Sequence, residues 1–376
     1  MKCKPVVAAV VAILACLLLA TCGVAGPAVT ATTPAVLLAA SPIPLTAATN
    51  TTVPAAASPT ATGARPASEP SAEARAYLDA ALDLMQQYSI NREQVDWDAL
   101  RRKARSRVYG AHTAADTYRA IQYALRDLGD GHSFLMTPEQ VAQMQAGTLN
   151  AAVPKPSGKL VEGRIGYVSL PAFAGQGQAA TEYATAVQQI IRDLDAGTPC
   201  GWIVDLRENV GGSMWPMLSG IGPLLGEGVA GMFVAPGGAE TTWSYRDGQA
   251  LEGDEVQTAV KGDAYRLDPL PPVAVLTGPS TSSSGEAIAV AFRGRPAARS
   301  FGQPTQGLST ANREFILSDG AWLLLTVSRF ADRTGQVYGS MIAPDEIVPQ
   351  QAGQDDATLQ AGVDWLLAQP ACAPGA

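Results

Sequence analysis

Histidine is almost absent from this 376-residue chain, which contains only His112 and His132. Basic residues are scarce as well: they cluster only at Arg101–Lys103, and the net charge is −8. Such a chain lacks the basic surface that nucleic acids and anionic lipids require. No cysteine has the spacing of a metal ligand. We therefore expect no metal, no cofactor and no nucleic-acid partner, and we expect partners that are peptides or small molecules.

An apolar run opens the chain. Lys2 and Lys4 precede the apolar residues 5–20, and small residues follow at 24–26. This pattern is typical of a secretory signal and is too short for a stable membrane span. We expect a signal peptide over residues 1–26, no integral span in the mature protein, and a secreted or cell-envelope location. Residues 19–22 approximate a lipid-attachment box, so a lipid anchor at Cys22 is an alternative to free secretion.

The next segment, 27–72, consists mainly of Ala, Thr, Pro, Ser and Val. It has no apolar period and cannot form a packed core, so we expect a flexible linker. Three of the five cysteines lie in the leader, which leaves Cys200 and Cys372 in the folded part. An oxidising compartment would allow these two to pair, but two free buried thiols fit the sequence equally well.

Two apolar stripes at helical spacing predict a helical cap domain over residues 73–150. The stripes are Leu78, Ala81, Leu82 and Met85, and then Tyr118, Ile121, Leu125 and Leu128, with a short helix expected around Trp97. From 160 to 350, short apolar runs alternate with helical patterns, which predicts an α/β core. Residues 351–376 are expected to form a C-terminal helix and tail.

The segment 273–289, VAVLTGPSTSSSGEAIA, contains five consecutive hydroxyl residues between an apolar run and a helix start. A strand that breaks at Gly278 and re-enters as a helix would hold Ser283 or Ser284 at a helix N-terminus. Free backbone N–H groups there can stabilise an oxyanion. The alternative is a simple cluster of capping residues before Glu286.

These residues belong to a larger set of motifs that resembles a known family. The motifs are GRIGYVSLPAF (163–173), DLRENVGG (205–212), the segment 273–289, FGQPTQG (301–307) and residues 318–345. They occur in the order seen in the tail-specific, or C-terminal-processing, serine peptidases of family S41. The resemblance implies a ClpP/crotonase-like β-α spiral core behind a helical cap, and hydrolysis of peptide bonds through an acyl-enzyme.

The same resemblance assigns site residues. The family's T-A-S-A-S-E block lies over residues 281–286, which implies that Ser283 is the nucleophile and that the Ser284 N–H is an oxyanion donor. Gly211 and Gly212 resemble the loop that supplies a further oxyanion N–H, because glycine lets the backbone approach the substrate carbonyl. For the two glycines alone, a plain helix-entry turn is the alternative.

The chain departs from the best-known branch of the family, which uses a lysine as general base. Leu308 occupies that region here and cannot accept a proton. A second branch, resembling the tricorn core protease, has a histidine on the turn after the cap, and His132 fits this place. Imidazole has a suitable pKa for the task. The group that orients His132 stays open among Asp130, Glu286 and Asp345, or a hydroxyl or an amide.

Residues 144–163 are too few for the PDZ domain that processing peptidases usually insert. We therefore expect a PDZ-less, exported serine-type endopeptidase that acts on peptides or unfolded proteins through Ser283 and His132. The alternative is a catalytically inactive peptide- or lipophile-binding protein on the same scaffold, which the missing lysine and acid favour. An esterase of the α/β-hydrolase type would need a G-x-S-x-G elbow around Ser283, which is absent.

Overall fold

The computed structural model describes residues 68–146, 155–349 and 356–373. The predicted signal peptide with Cys22, and almost all of the predicted linker, lie outside the described residues. In chain order the helices are α1 (Ala72–Tyr88), α2 (Trp97–Arg105), α3 (Tyr118–Asp127), α4 (Pro138–Gln145), α5 (Gly177–Asp195), α6 (Met214–Leu225), α7 (Ser284–Ala291) and α8 (Ala357–Leu367). None of these helices combines the length and apolarity needed to cross a membrane.

The strands form two sheets. They are β1 (Phe134–Met136), β2 (Ser157–Val161), β3 (Ile165–Ser169), β4 (Gly201–Asp205), β5 (Gly228–Val234), β6 (Glu240–Arg246), β7 (Gln249–Glu252), β8 (Glu255–Ala259), β9 (Val273–Thr277), β10 (Ala298–Gly302), β11 (Thr310–Ile316), β12 (Trp322–Asp332) and β13 (Glu346–Ile347). The predicted α/β class is confirmed.

The first sheet has the order β13-β10-β9-β4-β3-β2 and is parallel except for β2. Its central strands β4 and β9 are buried at every residue. They read as continuous apolar runs because helices or other layers cover both faces of such a sheet. The carboxyl ends of β4 and β9 lie side by side, with Asp205 opposite Leu276. The segments that follow these two strands therefore start at the same edge of the sheet.

The second sheet is antiparallel, with the order β1-β12-β5-β6-β7-β8 and with β11 paired to β12. The predicted turn at 318–320 joins β11 to β12, and the Leu317 N–H donates to the Ala321 carbonyl there. β12 pairs with β11 on one side and with β1 and β5 on the other. β11 therefore has β12 as its strand neighbour and lies at an end of the sheet.

The cap helices share a core with this second sheet. Leu78, Leu82 and Ile121 are fully buried in one cluster with Leu323 and Leu325 of β12. Both predicted stripes are thus buried, as their spacing requires. A separate cluster packs α5, α6 and α7 between the two sheets around Trp202 and Trp243. The cap is fixed to the core through β12, which places the turn after α3 next to β11.

The C-terminal segment holds β4 at both ends. Cys200, beside the start of β4, forms a disulfide with Cys372. At the other end, Arg207 donates to Asp205 and, through two nitrogens, to Asp356, which caps α8. The structure thus selects the paired state of the two cysteines. Covalent and ionic restraints together tie the strand that leads into residues 205–212 to the last helix.

Candidate active site

The turn between β9 and α7 presents one hydroxyl without a partner. Three of its neighbours have structural bonds: Thr281 Oγ1 donates to the Leu206 carbonyl (2.8 Å), Ser282 Oγ to Val210 (2.9 Å) and Ser284 Oγ to Gly212 (2.5 Å). Ser283 is 2% exposed, and its Oγ makes no hydrogen bond within the described residues. A buried polar group without a partner is uncommon and indicates a functional constraint. This separates Ser283 from the rest of the hydroxyl cluster.

Ser283 also has an unusual backbone, with φ +51° and ψ −117°. A positive φ costs a non-glycine residue about 1–3 kcal/mol, and such residues cluster at functional sites. The Glu286 carboxylate holds the conformation by accepting from the Ser283 N–H (2.8 Å). Ser283 and Glu286 thus adopt the capping-box arrangement of the alternative, with the Ser283 side chain facing the Glu286 N–H, but the Ser283 Oγ forms no complete hydrogen bond there.

Glu286 connects the serine turn to the loop at 305–308. Its carboxylate also accepts from the Thr305 hydroxyl and from the N–H groups of Gly307 (3.0 Å) and Leu308 (2.8 Å). Burial raises the pKa of Glu286 to about 7, against these hydrogen bonds, which lower it. Because its oxygens serve this loop, Glu286 does not contact the His132 ring.

The loop after β4 packs directly on the serine. A Cβ added to Gly211 would lie 2.9 Å from Ser283 Cβ and 3.4 Å from Ser283 Oγ, so the approach requires glycine. However, the Gly211 N–H donates to Asn209 Oδ1 (3.0 Å), so it is not free to donate to an oxyanion in this conformation. In the bridge between Phe173 and Gly212, the Phe173 N–H donates to the Gly211 carbonyl and the Ser213 N–H donates to the Phe173 carbonyl, so the Gly212 N–H is not used. The Ser284 N–H is not used by another group either, and within the described residues both N–H groups are without a partner.

His132 lies on the turn that follows α3. The Asp130 carboxylate accepts from the N–H groups of His132 (2.8 Å) and Ser133 (2.7 Å), and Asn312 Nδ2 donates to the His132 carbonyl (2.8 Å). Gly129 and Gly131 have φ of +73° and +66°, which explains why glycines flank this turn. The backbone of His132 is thus fixed from both sides.

The His132 ring has one bonded nitrogen and one free nitrogen. Nδ1 lies 2.8 Å from Thr310 Oγ1, at the start of β11. Nε2 is buried and makes no hydrogen bond to any described residue. The side chain is 4% exposed, and burial lowers its pKa to about 4 against the opposing charge of Asp130. At neutral pH the ring is therefore uncharged and can accept a proton.

The three carboxylates considered for orienting the ring make no hydrogen bond to it. Asp130 bonds the backbone of its own turn, and Glu286 bonds the serine turn and its loop. Asp345 accepts from Ser300 and from Arg293, beyond β10. Of the alternatives left open by the sequence, the hydroxyl of Thr310 is the group that lies within hydrogen-bond distance of the ring.

Ser283 and His132 are joined through a short path of bonds. Glu286 accepts from both the Ser283 and the Leu308 N–H groups, and the Thr310 N–H donates to the Leu308 carbonyl. Ser283 Oγ and His132 Nε2 are not hydrogen-bonded to each other in this conformation. Hydrogen bonds between catalytic groups are often long in unliganded enzymes and shorten when substrate binds.

A cavity of about 990 Å³ opens beside these residues. Ser284 and Thr310 line it, together with Tyr88 of the cap and the aromatic side chains Trp215 and Phe233. Its volume is at the upper end of the range of about 300–1,000 Å³ for ligand pockets. The described residues contain no group of three or more His, Cys, Asp or Glu that could hold a metal. The cavity reaches Ser283 and His132 through their neighbours, because Ser284 follows Ser283 in the chain and Thr310 Oγ1 contacts the His132 ring.

A hydroxyl, an uncharged imidazole and free backbone N–H groups are the groups that acyl transfer requires. Residues 164–348 match the family model of peptidase family S41. The nisin-resistance protein of Lactococcus lactis subsp. lactis is 27% identical over 294 residues, which cover 78% of this chain and 87% of that protein. The chloroplastic carboxyl-terminal-processing peptidase 2 of Arabidopsis thaliana is 25% identical over 63% of this chain and 42% of that protein. The chain therefore spans less than half of that longer peptidase.

Two solved structures share the fold. A lipoprotein from Streptococcus agalactiae has a TM-score of 0.66 and 24% identity, over 79% of this chain and 96% of that one. The photosystem II D1 C-terminal processing protease has a TM-score of 0.51 and 15% identity, over 80% and 99%. The predicted S41 scaffold, a spiral α/β core behind a helical cap, is confirmed.

Proposed function

We propose that this protein is an exported serine peptidase in which Ser283 is the nucleophile and His132 the general base. The observation that carries the proposal is the pair of buried, unpartnered atoms, Ser283 Oγ and His132 Nε2, whose neighbours Ser284 and Thr310 line one cleft. A serine hydroxyl needs an adjacent base, and a buried neutral imidazole suits the task. Thr310 accepts from Nδ1–H in this mechanism, which leaves the lone pair of Nε2 directed at substrate and serine.

The reaction follows from these positions. When substrate binds, Nε2 and Oγ approach within about 2.6–3.2 Å, Oγ attacks the scissile carbonyl carbon, and its proton moves to Nε2. The N–H groups of Gly212 and Ser284 donate to the oxyanion of the tetrahedral intermediate. The proton then passes from Nε2 to the leaving amine, which gives an acyl-enzyme. Water, activated by the same nitrogen, hydrolyses the ester and restores Ser283.

Export is supported by the disulfide as well as by the N-terminal sequence. Disulfides such as Cys200–Cys372 persist in oxidising compartments outside the cytoplasm. The chain has a relative named for nisin resistance and a structural neighbour described as a lipoprotein. An anchor at Cys22 and the absence of a PDZ domain stay predictions. Substrate selection is then assigned to the cleft between cap and core.

The proposal is tested with a degenerate library of ten-residue peptides and mass spectrometry of the products. We expect hydrolysis by the wild-type protein and a loss of about 10⁴-fold or more in Ser283→Ala and His132→Ala. Ser282→Ala is the matched control, since its hydroxyl bonds the Val210 carbonyl. A fluorophosphonate is expected to label Ser283. Full activity of His132→Ala would refute the mechanism, and peptide binding without labelling or hydrolysis would favour a binding protein.

A further inference from the structure

We propose that substrate peptides bind in an extended conformation by pairing with the open edge of β11. The inference rests on the proposed peptidase function and identifies how that site holds its substrate. Peptides add to sheets in this way when a strand offers unpaired N–H and C=O groups, and side-chain pockets then supply selectivity. Such pairing requires that the edge is open, that its backbone groups point outward, and that the edge leads to the site.

The edge is open because β11 lies at the end of its sheet, with β12 as its strand partner. Ile316 is 68% exposed, and Arg313 is exposed as well. Neither the backbone nor the side chain of another described residue bonds the main chain of Glu314 or Ile316 from the side away from β12. A row of such groups is a template for another strand.

The hydrogen-bond alternation of the ladder fixes which groups point outward. In an antiparallel pair, residues that exchange hydrogen bonds alternate with residues whose N–H and C=O face away. The Leu317 N–H bonds the Ala321 carbonyl, so Phe315 and Arg313 are the bonded residues that precede Leu317. Glu314 and Ile316 therefore direct their backbone groups away from β12. The alternation on β12 is consistent with this assignment. Thr326, an even-numbered residue of β12, directs its N–H away from β11 and donates to Ser133 on the β1 side.

The edge leads to the catalytic residues. β11 begins at Thr310, whose hydroxyl contacts His132, and six of the seven residues of β11 line the cavity. Glu255 and Gln257 of β8, at the other end of the same sheet, line this cavity too. The sheet is therefore curved, and its two ends border one cleft. A peptide paired with β11 fills this cleft and brings one end to Ser284 and the proposed nucleophile.

Proline at an outward-facing position tests the pairing. Ile316→Pro removes a donor that does not bond β12, and proline is tolerated at such edge positions. Ile316→Ala is the matched control because it keeps the N–H. Both are made in the Ser283→Ala protein, and retention of the degenerate ten-residue library on the immobilised proteins is measured by mass spectrometry. We expect at least fivefold weaker retention by the proline variant at unchanged thermal stability.

A second measurement changes the peptide and leaves β11 unaltered. The best-retained peptide is synthesised with one N-methyl group at each position in turn, and binding to Ser283→Ala is measured by calorimetry. Pairing predicts that N-methylation weakens binding at every second residue, because alternate N–H groups face β11. Equal retention by the Pro and Ala variants, an N-methyl profile without a period of two, or no retained peptide would overturn the proposal. Hydrolysis by the wild-type protein is scored separately, so period-two binding without hydrolysis would refute the peptidase alone.

Discussion

The role of Thr310 can be tested directly, because its hydroxyl is the hydrogen-bond partner of His132 Nδ1. Thr310→Val keeps the shape of the side chain but leaves this buried nitrogen without a partner. An unsatisfied buried polar group costs about 1–3 kcal/mol. If this cost falls on the productive ring position, kcat/KM drops by a factor of about 5 to 150. Thr310→Ser, which retains the hydroxyl, is expected to restore most of the activity.

The assay has a readout that a purely structural role would not change. The chain has two histidines, so ¹⁵N NMR of the imidazoles gives few signals, and His112→Gln assigns them. We expect His132 to be protonated at Nδ1 and free at Nε2 at pH 7, and to become a mixture of tautomers in Thr310→Val. Wild-type kcat/KM in Thr310→Val, or an equal loss in Thr310→Ser, would refute the reasoning.

Four further outcomes follow from the structure. Since burial lowers the pKa of His132 to about 4, kcat/KM is expected to stay high down to about pH 5 and to fall as the base is protonated near pH 4; an acid limb near 6.5 would contradict the burial. Gly211→Ala is expected to abolish fluorophosphonate labelling, since its Cβ would lie 2.9 Å from Ser283 Cβ, whereas Gly110→Ala, at φ +80° in open space, separates the collision from backbone strain and should label normally. Cys200→Ser with Cys372→Ser is expected to lower the free energy of unfolding by about 2–5 kcal/mol in denaturant titrations, and a reductant should then have no further effect. Burial raises the pKa of Glu314, which lines the cleft, to about 7, so the share of lysine and arginine in cleaved library peptides should be higher at pH 8.5 than at pH 6; Glu314→Gln should remove this difference, and a wild-type profile independent of pH would exclude a role for its charge.

Sequence periodicity predicts the long elements well. The stripes of α1 and α3 and the apolar runs of β4 and β9 each bury a continuous face, so local pattern and tertiary packing agree. The short strands β1, β7 and β8 were not predicted. They have three to five residues and half-exposed patterns, and their strand state depends on neighbours distant in sequence.

The residues of the candidate site also differ in whether local sequence could reveal them. Ser283 and His132 could be proposed because each lies within a local motif of glycines and hydroxyls. Thr310 could not, because it is 178 residues from His132 and reaches it only through the pairing of β11 with β12. The difference between Gly211 and Gly212 did have a local signal: Asn209 stands two residues before Gly211, the spacing at which an asparagine side chain accepts from the backbone.

The restraints on β4 have a consequence for how the protein matures. A chain that ends before Asp356 would contain Ser283, His132, Thr310 and the unpaired N–H groups of Gly212 and Ser284, yet it would lack one of the two acidic partners of Arg207 and the disulfide partner of Cys200. The strand that leads into the loop of Gly211 and Gly212 would keep its sheet neighbours and the helices packed on it, but it would lose a restraint at each end. We therefore expect this strand to be fully restrained only after the last helix has been synthesised and the disulfide has been oxidised.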